Sequence, residues 1–135
     1  MLIASIRYCG RYEDAGRYFE KLRQRVQEHI AGPPFCLFTE RCVAGRVDIE
    51  CCYPVDQAVE TDGIKCRVLR GGEMLAMTHY GPCRTLGESW EALFDYIEGA
   101  NIRVKGPRRE IYLDTEELAS EEHVTEIQVP LAGEC

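Results

Sequence analysis

The feature that most constrains this chain is an internal repeat. Tyr8, Gly10, Ala15, Phe19, Leu22 and Val26 return 71 residues later as His79, Gly81, Leu86, Trp90, Leu93 and Ile97. Further on, Glu50-Cys-Cys-Tyr-Pro-Val55 returns as Glu126-Ile-Gln-Val-Pro-Leu131 at an offset of 76, and the run 35–38 after Pro34 is echoed by 108–112 after Pro107. The growing offset assigns the second copy a longer loop on the same plan. One such unit cannot bury its apolar face alone. Two copies, about 1–55 and 64–131, are therefore expected to build one pseudo-symmetric domain over 1–135, and the seam between them is a natural place for a pocket.

Each copy reads as strand, helix, strand, strand. Residues 2–8 form a first strand that Gly10 ends. Ala15, Phe19, Leu22 and Val26 then make one apolar stripe of a helix over about 13–30, which stops at Gly32-Pro33-Pro34. Strands at 35–39 and 46–53 follow. A turn at 61–63 leads to a run at 64–70, which Gly71-Gly72 is expected to close as a hairpin with a strand at 74–80. Gly81-Pro82 opens a second helix at about 84–99, and strands at 109–114 and 125–129 complete the copy. The expected fold class is α+β: one antiparallel or mixed sheet with two long helices flanking a central cleft.

At 135 residues the chain is long enough for one real core. Its net charge of −7 and the absence of a Lys/Arg stripe argue against direct nucleic-acid binding, which needs clustered cations. The first residues are too short an apolar run for a secretory signal, and no later run reaches the length of a membrane span, so a cytoplasmic protein without a membrane partner is expected. In that compartment the eight cysteines (9, 36, 42, 51, 52, 66, 83 and 135) should be reduced. No Cys-x-x-Cys occurs, and the close His79–Cys83 spacing crosses a turn, so no metal site or cofactor is expected and the thiols read as small buried side chains.

In the segment 106–114 strand alternation puts Glu110 and Tyr112 on one face and Ile111 and Leu113 on the other. If the Glu110 face looks into a cavity, the carboxylate is desolvated and suits a cationic or hydrogen-bonding ligand; if it lies on an edge, it pairs with Arg108 or Arg109. Trp90 and Phe19 occupy matching places on the two helix stripes, as core residues or as ligand platforms. Phe94, at the border of the second stripe, can form a pocket wall, and the strand tyrosines Tyr8, Tyr53, Tyr80 and Tyr112 suit flat ligands as well as they suit strands. His79 lacks an orienting acid beside any nucleophile and reads as structural. The acidic stretch at Glu116, Glu117, Glu121 and Glu122 reads as a solvated segment.

Together, Ala76-Met-Thr-His-Tyr-Gly-Pro82, then Leu86, Trp90, Leu93-Phe94 and Ile97, then Glu110-Ile-Tyr-Leu113, and finally Thr125-Glu-Ile-Gln-Val-Pro130 resemble the GyrI-like small-molecule-binding family, whose domain is also the effector-binding part of AraC-type and MerR-type regulators such as Rob and BmrR. The resemblance covers nearly the whole chain. It implies a hydrophobic cleft over the sheet, with an acid in the strand before the Tyr, here Glu110, contacting cationic aromatic ligands and with Trp90, Phe94, Phe19, Tyr53 and Tyr112 as the surrounding ligand-binding residues. The implied role is a stand-alone sensor or sequesterer of amphipathic aromatic cations, with no catalytic residue. The alternatives are a small-molecule hydrolase using Glu110 and Tyr112 or a protein that inhibits DNA gyrase or engages a regulator. The oligomeric state stays open.

Overall fold

The apolar residues of Leu2–Gly10 form strand β1, and the 4-3-4 stripe from Ala15 forms helix α1, Ala15–Val26. The structure, a computed structural model, describes residues 1–41, 47–59, 61, 63–113 and 123–132. They fall into two units, Met1–Gly71 and Gly72–Cys135. The first continues with β2 (Phe35–Arg41), β3 (Val47–Pro54) and β4 (Lys65–Val68), and its strand order is β4-β1-β3-β2, all antiparallel. The second holds β5 (Met74–Tyr80), α2 (Leu86–Gly99), β6 (Arg108–Tyr112) and β7 (Val124–Pro130), in the antiparallel order β6-β7-β5. The fold class is α+β.

Each unit repeats the same internal plan, with its first and second strands both pairing to its third. The register repeats too. Tyr8 lies opposite Ile49 and His79 opposite Thr125, and Ile6 opposite Cys51 becomes Met77 opposite Ile127, so the two sequence offsets survive as strand pairing. Helix burial follows suit. Ala15, Leu22 and Val26 are buried with Phe19 half-covered, and Leu86, Leu93 and Ile97 are buried with Trp90 half-covered. Leu22 and Val26 meet Ala4, Ile6, Tyr53, Val55 and Ile64; Leu86, Leu93 and Ile97 meet Ile127 and Val129. Fully burying one such aliphatic side chain is worth about 1.5–3 kcal/mol, so these stripes hold each helix to its own strands.

The ends of α1 depart from the expectations. The stretch expected as helix from 13 to 30 begins and ends in single 3-10 turns, Tyr12–Asp14 and Gln27–His29, that flank the regular helix. Helix α2 ends at Gly99 as expected, and the left-handed residue that follows is Asn101, with φ 53°. Ile102 N–H donates to Ile97 O at 3.0 Å and Asn101 N–H to Glu98 O at 3.2 Å, the two bonds of a Schellman motif, and Ile102 packs back on the core that contains Ile97. Gly81, between β5 and α2, has φ 131°, where a side chain would be strained.

Two further expectations are corrected. Residues 64–70 do not form a hairpin with 74–80: β4 pairs with β1, Leu2 opposite Val68, while β5 pairs with β7. Hydrogen bonds in both directions between Met1 and Leu69 anchor that pairing, so Gly71-Gly72 works as a connection rather than a tight turn. Nor are all the cysteines thiols. Cys36, Cys51, Cys52 and Cys66 are free, but Cys9 is disulfide-bonded. The composition of a chain says nothing about which thiols folding brings together. The acidic stretch at Glu116, Glu117, Glu121 and Glu122, like Cys42 and Cys135, lies outside the described residues.

Candidate functional site

In the second unit α2 lies over rows of side chains that the strand register defines. Met77, Ile127 and Glu110 form one row across β5, β7 and β6, and His79, Thr125 and Tyr112 form the next. Glu110 is only 4% exposed, a costly place for a carboxylate unless donors surround it. Trp90 Nε1–H donates to Glu110 Oε2 at 2.6 Å, and the Tyr112 hydroxyl donates to Glu110 Oε1 at 2.8 Å. Each carboxylate oxygen therefore accepts a hydrogen bond from the polar edge of an aromatic ring. The bond from α2 fixes the indole plane. Phe94, one turn on, stacks on it with ring centroids 5.6 Å apart and planes inclined by 22°.

Of the six residues expected to bind ligand, Trp90, Phe94, Glu110 and Tyr112 come together here. Phe19 and Tyr53 belong to the first unit, where they meet each other edge to face with centroids 6.0 Å apart. Burial is the main cause raising the Tyr53 phenol above its ordinary range, and the same holds for Tyr8, which stacks on Tyr18. Tyr80 is 78% exposed and takes no part. His79 is buried but serves the chain turn. Its Nδ1 lies 2.6 Å from Ser89 Oγ and its Nε2 2.9 Å from Thr85 Oγ1. Thr85 gives its own hydroxyl proton to Pro82 O, so in the neutral ring Nε2 carries the proton and Nδ1 accepts from Ser89.

Comparison of the units shows what is special about the second. Cys36 faces Cys51 as Glu110 faces Ile127, and Phe38 faces Ile49 as Tyr112 faces Thr125. At equivalent positions the first unit thus carries Phe19, Cys36 and Phe38, and the second carries Trp90, Glu110 and Tyr112. Three changes in one copy supply one acceptor and the two donors that satisfy it. Counting from Pro34 and Pro107 would have matched Glu110 to Leu37 instead, a slip of one residue that reverses the face.

Sequence reasoning missed Arg108 as part of this group. Its guanidinium carbon lies 5.3 Å from the Trp90 ring centroid and 5.9 Å from that of Phe94. The available signal was its spacing of two residues from Glu110, which puts both on one strand face. Among the described residues no set of three or more His, Cys, Asp or Glu could hold a metal ion, and no helix is long and apolar enough to cross a membrane. The arrangement can hold a buried negative charge beside an aromatic wall and offer a phenol in hydrogen-bond contact with that charge.

The fold of this chain has known relatives. No curated protein gives a significant sequence match. Among solved structures, the EcmrR chain of an EcmrR–DNA complex superposes with a TM-score of 0.84 at 21% identity over 96% of this chain, which spans about half of that one, 53%. The isolated EcmrR C-terminal domain gives 0.81 at 21% identity, covering 97% of this chain and 90% of that one. SAV2435, solved bound to tetraphenylphosphonium, gives 0.69 at 16% identity with coverage of 98% and 89%. A protein from Listeria innocua described as a hydrolase gives 0.64 at 17% identity with coverage of 98% and 87%. At these identities the likeness is one of fold. The profile of the GyrI-like small molecule binding domain matches residues 1–132, and this chain belongs to that family.

Proposed function

We propose that the protein binds amphipathic aromatic cations at Glu110 and acts in the cytoplasm as a sensor or sequesterer of them. The observation that carries this reading is the Glu110 carboxylate, buried and held by the indole of Trp90 and the phenol of Tyr112. A delocalised cation offsets that charge while its rings stack on the Trp90 and Phe94 faces, a combination that a neutral ligand gains only in part. The tetraphenylphosphonium bound by SAV2435 is a ligand of this chemistry, and it supplies the probe.

The test is calorimetric titration of wild type and Glu110→Gln with tetraphenylphosphonium and with neutral triphenylphosphine oxide. Gln keeps the size of the side chain and can accept from Trp90 while donating to Tyr112. Loss of the charge should weaken the cation by about 1–3 kcal/mol, the range for a charge-assisted contact, and the neutral compound much less. Equal losses for the two, or none, would sink the reading.

The 2.8 Å contact between Tyr112 Oη and Glu110 Oε1 supports a second reading as a weak hydrolase, with Glu110 taking the proton of an attacking water and Tyr112 giving one to the leaving oxygen. Under that reading Glu110→Gln abolishes turnover of an activated ester such as p-nitrophenyl acetate.

A further inference from the structure

Arg108 stands two residues before Glu110 and shares its strand face, so β6 presents a cation and an anion to the same indole. The two differ in depth. Glu110 is buried and bonds the ring nitrogen of Trp90, whereas Arg108 is exposed and lays its guanidinium over the rings, 5.3 Å from the Trp90 centroid and 5.9 Å from that of Phe94. Both distances fall within the range of a cation–π contact. Guanidinium is planar, delocalised and weakly hydrated, the properties that let an organic cation stack on an aromatic face. The Trp90–Phe94 wall thus already carries a cation belonging to the chain itself.

We infer that Arg108 is a tethered competitor for the aromatic wall and thereby a determinant of ligand specificity. It covers the Trp90–Phe94 face in the empty site, and an aromatic cation stacks there only after the guanidinium has swung away. This deepens the reading of Glu110 as the ligand's counter-charge and rests on it. Displacing one exposed cation–π contact lowers the apparent affinity about 2- to 5-fold. A ligand with several rings replaces the lost contact with its own area; a small cation that touches one ring does not. The arginine therefore filters ligands by aromatic surface, while Glu110 filters them by charge.

The chain has a single tryptophan, so Trp90 fluorescence reports on this wall alone. In the ligand-free protein, acrylamide should quench Trp90 more strongly in Arg108→Ala and Arg108→Gln than in wild type, and Arg108→Lys should restore part of the protection. In calorimetry, tetraphenylphosphonium should bind both neutral variants about 2- to 5-fold more tightly. Unchanged quenching, or tetraphenylphosphonium affinity that stays equal or falls, overturns the inference. Agreement of the Ala and Gln variants separates loss of the guanidinium from any effect on the strand, and matching thermal unfolding of both to wild type confirms that the fold is intact. If tetraphenylphosphonium binding proves indifferent to Glu110→Gln, the proposed function fails; if Glu110→Gln weakens it but neither Arg108 variant tightens it, only the competitor fails.

Discussion

Glu110 takes the place that Cys36 fills in the other copy, and the contrast shows what a buried acid requires. Cys36 can sit beside apolar neighbours as a small hydrophobe, whereas a carboxylate at the same register position needs a donor for each oxygen. Trp90 and Tyr112 supply them where the first unit has Phe19 and Phe38. The phenol should therefore matter to stability. Tyr112→Phe removes one donor from a nearly water-free carboxylate and should cost about 1–3 kcal/mol in urea denaturation. Tyr53→Phe, whose ring packs edge-on against Phe19, should cost less than that. A Tyr112→Phe protein as stable as wild type would mean that the carboxylate finds an equal partner without the phenol. The alternation in 106–114 was enough to put Glu110 and Tyr112 on one face. The two-residue spacing of Arg108 from Glu110 was enough to put it on the same face, but its contact with the indole was not legible, because that contact depends on the distance between α2 and β6, which no spacing within either element encodes.

At the scale of elements, the two helices were legible because their 4-3-4 stripes match the 3.6-residue period and every stripe residue except the central aromatic is buried. Their caps were not, because capping depends on a few local hydrogen bonds. Asn101 takes the left-handed position because the Ile102 amide reaches Ile97 O and the Ile102 side chain returns to the core. The start of α2 depends on His79, whose ring links Ser89, Thr85 and Pro82 O. His79→Ala should loosen that junction locally. Amide exchange in the first two turns of α2 should accelerate, β1 and β3 should keep their protection, and the loss of global stability should be about 1–3 kcal/mol. Uniform acceleration through both units would contradict this role. The pairing of β4 with β1 was also beyond sequence reasoning. Four residues of strand do not specify a partner, and the bonds that settle the matter join Met1 to Leu69.

Over the whole chain, the repeat read from sequence is the repeat seen in strand pairing, with offsets of 71 and 76 carrying Tyr8 and Ile49 onto His79 and Thr125. What the repeat could not reveal is how the copies have diverged in chemistry. Both keep the helix stripe and the register, but one fills the row under its helix with Ile6, Cys51 and Cys36 while the other fills it with Met77, Ile127 and Glu110. Cys9 makes a similar point, since a disulfide is a fact of proximity and the sequence showed only eight separate thiols. Duplication accounts for the fold, and differences at three positions account for the hydrogen-bonded group of Trp90, Glu110 and Tyr112. The proposed binding of an aromatic cation at the Trp90–Glu110 pair of the second unit is tested by a fluorescence titration of the single tryptophan with tetraphenylphosphonium. Trp90 emission should change saturably at one ligand per chain, with the midpoint moved to higher concentration in Glu110→Gln. Calorimetric binding of tetraphenylphosphonium that leaves Trp90 emission unchanged, or a midpoint that Glu110→Gln does not move, would contradict it.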